Sequence, residues 1–595
     1  MTLGWRAGIT NEIYEPFMQS GTMHIFAISG LHIALIAGIL VAVLRVAQVS
    51  RLWCGIVIIP LIWFYTAATG WQPSAIRSTI MMSIIIGGWA LNRPSDLLNS
   101  LAAAALIILL WEPQQLFQAS FQLSFFVVLS IALFLPPLEK IRSRLLQPDP
   151  LLPPELIPRW QRWLGAPLRL LTTSFVTSLA AWLGSLPLTA YYFHLFSPVT
   201  LLANLLIVPA SSAALACNLG SLAFGSWLPS ITELFNHSAW AWMWFMVHIS
   251  HWATGLPGAF VFVPAPKFAD FAIYYGALVA LLSGVAFKPR WRIWGLAAIP
   301  CIAMFYGWRW HDAHSRTSIS VIPLSGGSST FCRPPNRAGR LLIDCGNTNA
   351  IGFVIQPFLR AQGVNHLPQL MLTHGDLARV GGTDMLRAML SVDRIITSPV
   401  RFRSPTYRRI VAQLEQTPEH HQIVKASDSL GGWTVLHPAA SDRFPQADDN
   451  AIVLRGEFNG TRILLLSDLG RPGQDALLER QRNIEADIVV SGLPVQSEPV
   501  SDRLLEAVRP QLIIITDSEF PATRRASGRL QERLQARNIP VVYTRVAGSA
   551  KIVLRQNRWQ VTTTGGFQYS GQPAVKGRSP SGSPPENSPD DRALR

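Results

Sequence analysis

The chain is short of charge. Only 14% of its 595 residues are Asp, Glu, Lys or Arg, where a soluble globular domain carries about 25%. A wholly soluble protein of this length is thereby excluded, because its surface would lack solvated groups. Cysteine is scarce as well. The five, Cys54, Cys217, Cys301, Cys332 and Cys345, include no CxxC pair, which argues against a zinc knuckle or a disulfide framework. No G-x-x-x-x-G-K-[ST] run is present, so the loop with which P-loop ATPases cradle phosphates is missing. No solenoid-type repeat is visible. The first apolar run is too long for a cleavable leader and has no small-residue cleavage site after it.

Long apolar runs, by contrast, are abundant, and the mean hydropathy is +0.27. The stretch from Ile25 to Leu44 holds no charged residue, and about 20 such residues match the hydrocarbon thickness of a bilayer. Ten membrane helices are expected, near 25–44, 53–70, 76–91, 97–111, 120–137, 171–190, 199–224, 237–256, 271–287 and 293–308. Loops after the odd-numbered helices carry Arg45, Arg51, Arg93, Lys140, Arg142, Arg144, Arg159, Arg162, Arg169, Lys288, Arg290 and Arg292. Those after the even-numbered ones hold little beyond Arg77 and Lys267. The positive-inside rule puts the first set in the cytoplasm. An even helix count then places both termini, and the C-terminal domain, outside. The net charge of +15 exceeds what these loops need and suits a polyanion or anionic lipid.

After about residue 316 the pattern turns to short β-rich runs separated by helices. Strands are expected at Ile319–Pro323, Ser329–Cys332, Arg340–Asp344, Ala451–Leu454, Arg462–Ser467, Asp487–Ser491, Leu512–Thr516 and Lys551–Arg555. Helices are expected at Leu377–Leu390, Pro405–Gln416, Gln474–Gln481 and Thr523–Arg537. The reading is a polytopic α-helical membrane domain over 1–310, an α/β domain with two β-rich halves over 317–565, and a Gly/Ser/Pro-rich disordered tail over 566–595.

Four blocks of the membrane half are unusual for lipid-facing helices. They run from Met23 to His32, from Gly70 to Arg77, from Phe121 to Phe125, and from Leu183 through Ser197-Pro198 to Asn204 and Pro209. Ser29, His32, Arg77, Gln122, Ser124 and Asn204 are polar groups at or near membrane depth, where an unpaired group costs several kcal/mol. They read either as interhelical hydrogen-bonding groups or as the lining of a wet path. Pro73, Pro187 and Pro209 can break helices, and broken helices often line transport paths. Arg77 is the best candidate for touching a phosphate, against a snorkelling or paired structural arginine. In order and spacing the four blocks resemble the competence domain of the ComEC family, the membrane channel of bacterial DNA uptake. The resemblance covers residues 3 to about 310. It implies a multi-pass protein of the bacterial inner membrane that passes single-stranded DNA into the cytoplasm. Its partners would be single-stranded DNA, membrane lipid, the competence proteins that deliver DNA and those that handle the entering strand, and further copies of itself.

The C-terminal half resembles the metallo-β-lactamase-like domain that follows in this family. The segments that carry this are Leu341 to Gly346, Leu372-Thr373-His374, Gly381-Gly382 and Leu464 to Asp468. The family chemistry is hydrolysis by two metal ions sharing an activated water. Here the ligand set is mostly absent. Where the family has H-x-H-x-D-H, this chain has His374, Asp376, Ala378 and Arg379, and neither 324–329 nor 492–496 supplies the expected acid or histidines. His374, Asp376 and Asp468 remain, enough for at most one weakly held zinc or manganese ion. Arg379 would repel a second divalent ion. The expectation is therefore a domain with no resident metal and no hydrolase activity. Two basic clusters offer DNA contacts: Arg401, Arg403, Arg408 and Arg409, and the run Arg524, Arg525, Arg529, Arg533 and Arg537. Alternatives are an ordinary solvated helix face for these clusters. For the whole chain they are a membrane-anchored metallohydrolase, a transporter of another polyanion, or a decayed copy. The family carries a further N-terminal part with an OB-like domain. The opening Met1-Thr2-Leu3-Gly4-Trp5 is similar to the segment just before the competence domain, so that part is expected to be lacking.

Overall fold

The structure is a computed structural model that describes residues 10–26, 30–93, 96–146, 159–225, 227–481 and 483–573. The chain forms two compact units, Met1–Leu296 with Arg360–Gly363, and Ala297–Leu359 with Val364–Arg595.

The first unit is helical: α1 (Asn11–Gln19), α2 (Gly30–Val46), α3 (Arg51–Ala68), α4 (Pro73–Ala90), α5 (Leu97–Trp111), α6 (Ala119–Leu146), α7 (Arg159–Phe193), α8 (Thr200–Phe224), α9 (Pro229–Thr254) and α10 (Phe268–Leu282). A further helix, α11 (Pro289–Ser315), crosses the division between the units. Among the described residues, four helices are long and apolar enough to cross a membrane: Arg51–Ala68, Ala119–Leu145, Gly165–Phe193 and Thr200–Phe224. Each of the ten expected segments overlaps a helix among the described residues, where four rather than ten meet the length and apolarity of a span. Helices α5 and α10 have 15 residues each, about 22 Å at 1.5 Å per residue, against a core about 30 Å thick. Helix α9 is long but polar in its first turns, with Glu233, Asn236 and His237. Small residues let helices approach. A Cβ on Gly184 of α7 would lie 1.7 Å from the Ser130 hydroxyl of α6. Tyr274 and Tyr275 of α10 donate to the carbonyls of Leu183 and Gly184 at 2.8 and 2.7 Å. A two-stranded pair joins β1 (Leu195–Phe196) to β2 (Val261–Phe262).

The second unit has two mixed sheets. The nine-stranded sheet runs β18-β17-β16-β3-β4-β5-β6-β7-β8. Its strands are β3 (Thr317–Leu324), β4 (Gly327–Arg333), β5 (Leu341–Ile343), β6 (His366–Met371), β7 (Ser391–Thr397), β8 (His421–Ile423), β16 (Ala550–Arg555), β17 (Arg558–Thr563) and β18 (Gln568–Gly571). The seven-stranded sheet runs β15-β14-β13-β12-β11-β10-β9. It contains β9 (Ser429–Leu430), β10 (Trp433–His437), β11 (Val453–Phe458), β12 (Thr461–Ser467), β13 (Ile488–Ser491), β14 (Leu512–Ile515) and β15 (Val541–Tyr543).

Period-two alternation decides which side chain faces which layer. Ile463, Leu465, Ile488, Val490, Leu512 and Ile514 enter a core shared with Ile319, Val321, Leu341 and Met371 of the other sheet. Their neighbours Leu464, Leu466, Val489, Ile513 and Ile515 pack outward with Leu477, Leu504, Leu530 and Leu534 of the flanking helices. On the other flank, Leu342, Leu370 and Ile395 pack with Tyr407, Ile410 and Leu414. Two sheets face each other with helices outside, which is the expected α/β domain with two β-rich halves.

Strand β18 lies inside the segment expected to be a disordered tail. It pairs with β17, and the Tyr569 ring packs tilted against Trp559 with centroids 5.6 Å apart. The rest of that tail, from 574, lies outside the described residues. The expected helix Thr523–Arg537 is broken. A 3-10 turn covers Ala522–Arg524, and the helix proper is Gly528–Ala536, capped by Ser527, whose hydroxyl accepts from the Leu530 amide at 3.2 Å.

Candidate functional site

The site lies where strands of both sheets end. Asp344 follows β5, Thr373 and His374 follow β6, Asp468 follows β12 and Gly492 follows β13. Asp344 and Ser467 take the left-handed backbone conformation, with φ of 57° and 51°. The turn at Asp344 lets its carboxylate accept from the Thr373 amide at 2.9 Å and the Thr373 hydroxyl at 2.7 Å. His374 is fully buried, with Nδ1 3.0 Å from the Thr373 hydroxyl. Its Nε2 is buried without a hydrogen-bond partner. It lies 3.5 Å from Asp448 Oδ1 and 3.8 Å from Asp468 Oδ2.

His374, Asp448 and Asp468 form a group whose candidate ligand atoms lie within 4.8 Å of one another. Asp376, expected as a ligand, is not among them. Its Oδ1 accepts from the Ala378 amide at 3.2 Å, capping the short helix Leu377–Val380, and its Oδ2 accepts from Arg524 at 2.8 Å. As the residue immediately before a helix, Asp376 uses its side chain on a local amide. Asp448 was missed by the sequence reading. It sits on an irregular 3-10 turn, Asp448–Asn450, with neither periodicity nor motif to mark it. The acid run Asp448-Asp449 after a charge-poor stretch was the one available signal.

Two arginines occupy this centre. Arg379, 2% exposed, donates Nη2 to Asp468 Oδ1 and Nε to Asp468 Oδ2 at 3.2 Å. Its Nη1 reaches the Ser328 carbonyl at 2.7 Å and Asp344 at 3.4 Å. Arg524, 7% exposed, donates Nη1 to Asp468 Oδ2 at 3.1 Å and to the Leu493 carbonyl. Offered by the sequence as a DNA contact, it is instead buried and paired with Asp376 and Asp468. Both oxygens of Asp468 thus already accept from cations. Burial alone would push the Asp468 carboxyl up, but Arg379, His374 and Arg524 hold it below the usual range. Burial pushes Asp344 and Asp448 up, only partly offset by Arg379 and His374 respectively. Gly492 is required by close approach: a Cβ there would lie 1.8 Å from Asp468 Oδ1.

These residues do not fit a two-metal centre. A divalent ion about 4 Å from one guanidinium meets about 8 kcal/mol of repulsion at an effective dielectric of about 20. Two guanidiniums flank the one carboxylate that would have to bridge.

Other basic candidates divide. Arg401, Arg403 and Arg529 are exposed. Arg408 donates to the Phe402 carbonyl at 3.1 Å, Arg409 pairs with Asp384 at 2.8 Å and Arg525 with Glu519 at 2.7 Å. Arg533 and Arg537 also meet acids, at 3.3 Å to Glu498 and 2.9 Å to Asp502. In the helical unit, Arg77 is 2% exposed and donates Nη2 to the Ser120 carbonyl at 2.8 Å, while its Nε and Nη1 are buried without partners. Gln122 donates to the Leu116 carbonyl at 2.9 Å and accepts from Tyr192 at 2.7 Å. His32 is buried at 4% exposure, Ser124 is half-buried, and Asn204 has a buried carbonyl oxygen without a partner. Ser29 lies outside the described residues.

Comparison with known proteins finds similarity to competence proteins. The Competence protein family model matches residues 1–288. The chain is 25% identical over 571 residues to ComE operon protein 3 of Bacillus subtilis strain 168, covering 91% of this chain and 69% of that protein. It is 22% identical over 576 residues to Competence protein ComA of Neisseria gonorrhoeae, covering 93% and 74%. Among solved structures it is similar to the metallo hydrolase Igni18 of Ignicoccus hospitalis (11% identity, TM-score 0.28, 39% of this chain and 98% of that one). A mutant metallo-β-lactamase of Cronobacter sakazakii is also similar (16% identity, TM-score 0.20, 28% and 74%). The family match covers the helical unit with its four blocks, and the similarity to both competence proteins continues through the second unit.

Proposed function

We propose that this protein is an inner-membrane channel that passes single-stranded DNA into the cytoplasm during natural transformation. The observation that carries the reading is the competence-family match over residues 1–288. Arg77 supports it physically. A guanidinium held among helices costs at least about 2.5 kcal/mol on insertion scales, and two of its donor atoms are unspent. A phosphodiester passing by would use them. The second unit is proposed to face the exterior and to guide DNA through exposed Arg401, Arg403 and Arg529, without cutting it. The hydrolase reading is disfavoured by Arg379 and Arg524 on Asp468.

The test is uptake of labelled DNA by a competent host that has no second copy of the gene. Deletion should leave surface binding intact while the label stays accessible to added nuclease. Restoring the gene with Arg77→Ala should recover less protected label than restoring it with Arg77→Lys, at equal membrane abundance. Normal entry of label in the deletion strain would refute the channel.

A further inference from the structure

The disagreement between this centre and a metal site leads further. We propose that the guanidinium groups of Arg379 and Arg524 stand where cations would otherwise be held, and that His374, Asp448 and Asp468 form a divalent-metal site closed by Arg379 and opened by its removal.

Three observations carry this. First, Arg379 does the bridging that a shared cation would do. Its one planar fork spans Ser328 and Asp344, from the nine-stranded sheet, and Asp468, from the seven-stranded sheet. A guanidinium is suited to this because its five donors are fixed in direction and its charge is permanent. Second, Arg524 takes the remaining side of Asp468 and ties it to Asp376 and the Leu493 carbonyl. Third, a ligand atom is left over. His374 Nε2 is fully buried, faces Asp448 and Asp468, and has no hydrogen-bond partner. Arg379 and Arg524 do not reach it. One imidazole nitrogen and two carboxylates are a donor set for zinc or manganese, and here these atoms lie within 4.8 Å of one another. What keeps an ion out is Arg379 on Asp468 Oδ1; without it the carboxylates of Asp344, Asp448 and Asp468 outweigh the one guanidinium left on Asp468, that of Arg524.

The experiment uses the full chain, purified in detergent without chelator. Bound metal is counted by elemental analysis, and thermal unfolding is followed with added Mn²⁺ or Zn²⁺ and with EDTA. Wild type should carry no stoichiometric metal and unfold at the same temperature with and without EDTA. Arg379→Ala should bind about one divalent ion per chain, reversibly with EDTA, and gain thermal stability with the metal because the ion binds only the folded form. Arg379→Lys, which keeps the charge, should bind none, and Asp448→Ala added to Arg379→Ala should abolish binding. A wild-type protein that carries a stoichiometric ion and loses stability in EDTA would overturn the proposal. So would an Arg379→Ala protein that folds and takes up no more metal than wild type. If Arg379→Ala does not fold, Arg379→Gln, which removes the charge and keeps most of the volume, is read by the same two outcomes. Neither measurement involves DNA import, so failure here and failure of the channel reading are separable.

Discussion

Arg379 shows how one side chain can change the chemistry of a centre. Its sequence neighbours mark a metal motif with a cation in a ligand's place. The partner that makes this cation tolerable, Asp468, lies 89 residues away. Burying an unpaired guanidinium is costly, whereas a buried pair with its remaining donors satisfied is tolerated, and removing one partner costs about 3–5 kcal/mol. Asp376 is a milder case. As a helix cap, it should tolerate Asp376→Asn, since Asn caps as well as Asp. Only the charge opposite Arg524 is lost, at about 1 kcal/mol or less. Asp376→Ala loses the cap too, at about 1 kcal/mol more. Denaturant unfolding of the full chain should rank wild type, Asn and Ala in that order. Equal losses for both variants, or a bound-metal count that changes with either, would return Asp376 to the ligand set.

At the scale of elements, apolar runs were legible and interrupted ones were not. Strands β12, β13 and β14 are continuous Ile, Leu and Val runs, and each lies where the sequence placed it. Strand β6 contains Pro368, which argues against a central strand, yet it sits between β5 and β7. The ladder to β7 passes from Leu367 to Gln369 without pairing Pro368. Helix packing carries the prediction here. Gly184→Ala forces a methyl onto Ser130 at 1.7 Å, and overpacking of this kind costs about 1–3 kcal/mol. Gly87→Ala meets nothing within 4 Å and should be neutral or stabilising by up to about 1 kcal/mol, as Ala for Gly in a helix. Thermal unfolding in detergent should shift in opposite directions for the two. A shift of the same sign in both would show that α6 and α7 do not pack through Gly184.

For the whole molecule, the open matter is which side of the membrane each unit occupies. Applied to the Arg- and Lys-rich loops, the positive-inside rule predicts the second unit outside. Because β18 extends the folded unit to Gly571, a topology reporter belongs after Pro573. A reporter that works only in the periplasm should be active there. Activity from a cytoplasmic reporter alone would reverse the orientation.

The sequence by itself determined the two-part organisation, the resemblance to competence proteins and the scarcity of metal ligands. These depend on local hydropathy, on short contiguous blocks and on counting donors, all of which are written along the chain. Only the tertiary structure decided that Asp448 rather than Asp376 joins His374 and Asp468, that Arg524 is buried at the centre, and that Asp468 is held by two guanidiniums. Those outcomes depend on which strand ends meet across two sheets. Groups 56 to 148 residues apart come within hydrogen-bond distance there, and no local pattern encodes that meeting.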